Sequence, residues 1–168
     1  MNILKESPCF QNDAVDLSPI KFRLMNKMGW PEDQTDLVIH EYRKFLFLLT
    51  TNPKDPLVPS PLVDEAWHAH ILHTAMYMRH CNLINGGKYI HHKPTGPEPT
   101  GPKSGEGEHL NQYRATLEAY KGAFKEEPNF VVWPNVVDEM CSKGCSGKCA
   151  KDDTNTNADF TGMTTLVY

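Results

Sequence analysis

Thirteen prolines punctuate this chain of 168 residues, and their positions bound the helices it can form. Proline has no amide hydrogen and collides with the preceding turn, so a helix accepts it in its first turn and is broken by it elsewhere. Asp16-Leu-Ser-Pro19 reads as a helix start, with Ser18 as N-cap, and Gly29 as the stop. Trp30-Pro31-Glu32-Asp33 opens a second helix, in which Leu37, Val38, Tyr42, Phe45, Leu46 and Leu49 recur at helical spacing until Asn52-Pro53 ends it. The loop KDPLVPSP then carries three prolines, and its Ser60-Pro61 pair repeats the start signature for a third helix over 61–84. A fourth, from His109 to Lys125, presents Leu110, Tyr113, Leu117, Tyr120 and Phe124.

Between them, the segment HHKPTGPEPTGPKSGEGE is too rich in proline and glycine for a helix or an inner strand. Phe130 to Pro134 is expected to pin an extended segment against the core. No stretch alternates strictly between apolar and polar residues, and no internal repeat is visible. The fold class is therefore mainly α: a compact bundle of about four helices with a long Pro/Gly-rich loop and a flexible C-terminal tail. The expected organisation is an arm over 1–15, one helical domain over 16–140 with its long loop at 86–108, and a polar tail over 141–168.

Charge and composition remove several function classes. The net charge of −4 and the lack of a lysine or arginine run argue against binding duplex nucleic acid. No segment approaches the roughly 20 apolar residues that cross a bilayer, and MNILKESPCFQND does not read as a signal peptide, so a soluble, cytoplasmic protein is expected. No GxGxxG or other phosphate-cradling loop supports a nucleotide cofactor, and no serine sits in a nucleophile elbow. A small molecule or another protein remains as partner.

Histidines carry the positive signal. VDEAWHAHILHT, residues 63–74, holds three, and YIHHKPTG, residues 89–96, two more. At about 100° per residue, an unbroken third helix puts Val63, His70, Thr74, Tyr77 and Cys81 on one side, with Trp67 and Met78 near its edge, so His70 points inward. His68 lies roughly 160° away and shares a side with Asp64, four residues earlier, where a carboxylate can orient an imidazole or join it as a ligand. His73 and His80 fall on a third side and are expected to be solvated. His91 and His92 follow a double glycine and precede Pro94, so the chain can fold back over the third helix.

Metal sites commonly combine helix and loop histidines, and the expected ligands are His70, His91 and His92, with zinc or iron as the ion. Asp64, His68 and Tyr77 are candidate catalytic groups, Asp64 as base or orienting group and Tyr77 as proton donor beside Trp67. The competing reading is a metal-free interaction module whose histidines form a hydrogen-bond network. CSKGCSGKC in the tail offers Cys141, Cys145 and Cys149 as a second candidate site, since glycines argue for a chelating loop rather than a helix. Cys81, on the apolar side of its helix, behaves as a small hydrophobe.

EYRKFLFLL (41–49), LVPSPLVDEAWHAHILHT (57–74), Tyr77, Cys81, YIHHKPTG (89–96), AYKGAF (119–124) and Trp133-Pro134 together resemble the glycine-rich-domain-containing protein-like family. The cysteine tail is similar to those of its short bacterial members. The resemblance implies an α-helical domain with no settled activity. It also implies that Asp64, Trp67, His68, His70, Tyr77, Cys81, His91 and His92 are recurrent positions, with His73 and His80 particular to this chain.

Overall fold

The computed structural model describes residues 15–92 and 106–135. Five helices follow in order: α1 (Ser18–Met28), α2 (Glu32–Thr51), α3 (Pro61–Leu72), α4 (Thr74–Ile84) and α5 (Glu106–Phe124). No strand occurs among the described residues. The expected mainly α architecture is what forms, with one helix more than the sequence indicates. The tail cysteines Cys141, Cys145 and Cys149 lie outside the described residues.

Local signals set most helix ends. Asp16 Oδ1 accepts the Ser18 amide, so the capping oxygen ahead of α1 comes from Asp16 rather than from Ser18. Gly29 closes α1 at φ 71°, a left-handed conformation that costs glycine little, and its amide and that of Trp30 both turn back to the Leu24 carbonyl. Glu32 and Asp33 place negative charge at the positive end of α2. Ser60 Oγ caps α3 by accepting the Val63 amide at 3.3 Å, with Pro61 in the first turn.

Helix α2 is central, contacting α1, α3 and α5, while α4 packs on α3. Ile20 and Leu24 of α1, Val38, Tyr42, Phe45 and Leu48 of α2, Val63 and Ala66 of α3, and Tyr77 of α4 are buried together. Each large apolar side chain removed from water in this way contributes about 1.5–3 kcal/mol before chain entropy is charged against it. The connection between α2 and α3 is tied to α5 by Thr116, whose hydroxyl accepts the Val58 amide and lies 2.9 Å from the Val58 carbonyl. Val132 and Trp133 are pinned to the core in a turn, rather than the extended segment expected, and Phe130 and Val131 face solvent.

The consequential departure from expectation is at His73. Its φ of −88° and ψ of 58° are not helical, and they divide the predicted third helix into α3 and α4. Neither proline nor glycine marks the break; it is compensated by tertiary contacts. In a continuous helix, residues ten apart are separated by about 15 Å along the axis. Here Trp67 bonds Tyr77, and His70 bonds His80, each across ten residues. Thr74, which continuous winding would put on the inner side, and Met78, expected near its edge, are exposed.

Candidate metal centre

The break at His73 redistributes the histidines into two groups. His70 is 1% exposed, and both of its ring nitrogens are engaged: Nδ1 lies 2.8 Å from the Tyr42 hydroxyl and Nε2 lies 2.8 Å from His80 Nδ1. Donor counting sets the direction of this chain. Among the described residues no other acceptor faces the buried Tyr42 hydroxyl, which favours its donating to His70 Nδ1 and His70 Nε2–H donating to His80 Nδ1. Burial, with the neighbouring His80 and His73 adding to it, pulls the His70 pKa down to about 3. Burial, reinforced by Arg79, also lowers that of His80. Burial raises the Tyr42 phenol well above its ordinary value.

His70 is therefore saturated by protein groups and is not brought together with His91 and His92, because α4 turns back and supplies His80 as its partner. His80, expected in solvent, is buried for the same reason. His91 is exposed and rests against Tyr89, with ring centroids 4.9 Å apart.

His92 joins a different pair. Asp64 and His68 stand one turn apart on α3, and the segment after α4 brings His92 over them. Asp64 Oδ1 accepts from His92 Nε2 at 2.7 Å, while Asp64 Oδ2 lies 3.7 Å from His68 Nε2. The two imidazole centroids are 4.6 Å apart. One ligand atom from each of the three residues falls within 4.8 Å of the others. Asp64 and His92 are partly buried and His68 is exposed, so the group opens toward solvent.

Trp67 and Tyr77 form the floor. The indole and the His92 ring meet at a steep angle, with centroids 4.5 Å apart, and Trp67 Nε1 donates to the Tyr77 hydroxyl at 2.8 Å. Tyr77 in turn donates to the Ile90 carbonyl at 2.7 Å, so its proton is committed to the backbone and it does not point a free donor at the group. Burial keeps the phenol protonated, raising its pKa far above the usual value against a lowering contribution from the Trp67 hydrogen bond. Cys81 is buried, as its position suggested.

A family model described as UCP032817-like matches residues 20–107, just over half of the chain and inclusive of Asp64, His68 and His92. The chain belongs to the UCP032817-like family. The likeness to glycine-rich-domain-containing proteins is thereby corrected: the blocks that carried it fall largely inside the UCP032817-like match, and nothing indicates the other family. The family's description names no activity. No curated protein and no solved structure matches the chain. Among the described residues, no helix is long and apolar enough to cross a membrane.

One polar cluster of this UCP032817-like chain escapes the sequence reading altogether. Glu41, 2% exposed, accepts from Trp133 Nε1 at 2.8 Å and from Lys44 Nζ at 3.2 Å. Lys44 also reaches the Tyr120 hydroxyl at 2.6 Å and Glu126 at 2.5 Å. Burial and the facing Glu41 carboxylate push the Tyr120 phenol up, whereas Lys44 holds Glu126 below the ordinary carboxylate range. The cluster fastens the residues after α5 to α2. Its signal was present in Val38, Glu41, Phe45 and Leu48, where the glutamate occupies a place in the apolar stripe.

Proposed function

We propose that the chain is a metal-binding protein that holds a divalent transition ion, zinc or iron, between α3 and the segment after α4, with Asp64, His68 and His92 as ligands. The observation that carries this reading is the gathering of three ligand atoms, two imidazole and one carboxylate, within 4.8 Å. Zinc bonds of about 2.0–2.1 Å at tetrahedral angles put ligand atoms roughly 3.3 Å apart. His92 Nε2 lies 2.7 Å from one Asp64 oxygen and His68 Nε2 lies 3.7 Å from the other, on either side of that value. Two histidines and one carboxylate suit zinc and iron(II), and three protein ligands leave a position open to water on the exposed side.

The test is elemental analysis of untagged full-length protein carrying Cys141→Ser, Cys145→Ser and Cys149→Ser, so that tail thiols contribute nothing. One equivalent of zinc or iron is expected, lost in Asp64→Ala and His92→Ala and retained in His70→Ala. Absence of stoichiometric metal after loading overturns the proposal, as does equal retention in His92→Ala.

The 2.7 Å bond between Asp64 and His92 also favours a second reading, in which the pair clamps the segment after α4 onto α3 without an ion. It predicts that His92→Ala loosens residues 88–92 and that zinc has no effect on the parent protein.

A further inference from the structure

We infer that Tyr77 is a positioning residue for this site: its hydroxyl bridges Trp67 on α3 and the backbone of Ile90, and so sets the distance between the helix bearing Asp64 and His68 and the segment bearing His92. The inference rests on the metal reading above.

The three ligands come from two pieces of chain. Asp64 and His68 are rigidly related by one helical turn, whereas His92 ends a stretch, 88–92, with no regular structure. The placement of His92 therefore decides whether the three ligand atoms converge. Local chain geometry alone does little for it, because Gly86 and Gly87, both at positive φ, stand just before the stretch. Asp64 accepts from His92 at its end and Asn85 donates to the Lys88 carbonyl at its start, and two further contacts hold the part between. The carbonyl of Ile90, two residues before His92, accepts the Tyr77 hydroxyl, and the His92 ring packs edge-on with that of Trp67. Both converge on Tyr77, since the same hydroxyl accepts the Trp67 indole N–H. Tyr77 is 1% exposed, its ring packs against those of His70 and Tyr89, and its oxygen accepts from Trp67 and donates to Ile90, with Cys81 beside it.

An unbridged segment would sample positions in which His92 misses Asp64, and an ion would then have to order the segment as it binds. A bridge already in place removes that cost, which is how a residue touching neither ion nor ligand alters affinity. Removing outer partners of metal ligands typically weakens binding about 10–100-fold.

The experiment measures zinc affinity by competition with a chelator, in the full chain lacking the three tail thiols, for the parent, Tyr77→Phe, Tyr42→Phe and His92→Ala. Backbone order parameters of residues 88–92 are measured without zinc in the same proteins. Tyr42→Phe is the control for general loosening, because it removes an equally buried hydroxyl that serves the other histidine group. The expected result is a roughly tenfold or greater weakening in Tyr77→Phe, with lowered order in 88–92, and neither change in Tyr42→Phe. An unchanged zinc affinity in Tyr77→Phe while His92→Ala loses zinc overturns the positioning role and leaves the site standing. Equal weakening in both tyrosine variants also overturns it. No zinc binding by the parent removes the site itself, and the positioning role with it.

Discussion

Two histidine groups lie on either side of the Trp67–Tyr77 pair, and they differ in what is left over. In the inner group, Tyr42, His70 and His80 form a closed line in which each nitrogen of His70 has a protein partner. In the outer group, Asp64 must serve His92 and His68 together, His68 stands 3.7 Å away, and one side is open to water. Burial accounts for the contrast. An unpaired polar atom in the interior costs on the order of 1–3 kcal/mol, so the inner imidazole is surrounded by matched groups until nothing remains for a ligand. At the surface water fills any gap, and incomplete pairing persists at little cost. An inward-pointing histidine is for that reason a poorer metal candidate than a half-exposed one.

The largest expected effect separates the groups by exchange of symptoms. His92→Ala should weaken zinc binding by at least about 100-fold with modest loss of stability. His70→Ala should leave zinc affinity within a few-fold while destabilising the fold by roughly 3–5 kcal/mol, from the cavity and the stranded Tyr42 and His80. Chelator competition and urea unfolding on the two variants read both quantities. Destabilisation without metal loss in both variants would erase the distinction.

Acid should sharpen the contrast next. Folding holds the His70 pKa near 3, below its ordinary value of 6.5, so the unfolded chain binds a proton here that the folded chain refuses. The stability of the neutral form is complete above about pH 6.5 and declines as pH falls from there toward 3, where the penalty levels off. A few kcal/mol are at stake over that window. Unfolding free energies measured from pH 7 to pH 4 should show the decline in the parent, and a flatter profile in His70→Gln, which keeps hydrogen-bonding capacity without titrating.

How far these groups were legible depends on how local their causes are. The spans of α1, α2 and α5, and the Ser60 cap, follow from proline, glycine and the spacing of apolar residues, all of which act within a few positions. The Asp64–His68 pair was legible for the same reason, being one helical turn. His73 was not: no breaker stands there, and the break exists because Trp67 reaches Tyr77 and His70 reaches His80 across it. Arithmetic on an unbroken helix gave His70 its inward direction correctly, yet put His80 in solvent and Thr74 inside. The loop histidine His92 could be picked from the sequence, but its partner depended on which face of α3 the chain crosses. Glu41 and Lys44 were missed because the buried face of α2 was read from the spacing of apolar residues, which passes over charged ones.

A smaller effect is expected from Tyr42→Phe. It leaves His70 Nδ1 without its donor in a buried place, a loss of about 1–3 kcal/mol, and changes nothing around Asp64. Urea unfolding should register the loss and zinc titration should not, so a change in zinc affinity here would mean that the two groups are mechanically coupled through Tyr77.

The smallest effect concerns the frame that both groups share. Ser60 Oγ satisfies the Val63 amide at the start of α3, four residues before Asp64, and Ser60→Ala should cost about 1 kcal/mol. That helix carries ligands on one side and His70 on the other, so the loss is felt by the whole domain rather than by either group. Metal affinity and the slope of stability between pH 7 and pH 4 should both stay as in the parent while the unfolding midpoint falls. If zinc affinity fell in step with stability, the first turn of α3 would be fraying far enough to move Asp64, and the outer group would owe its geometry to the helix cap as well as to the bridge from Tyr77 to Ile90.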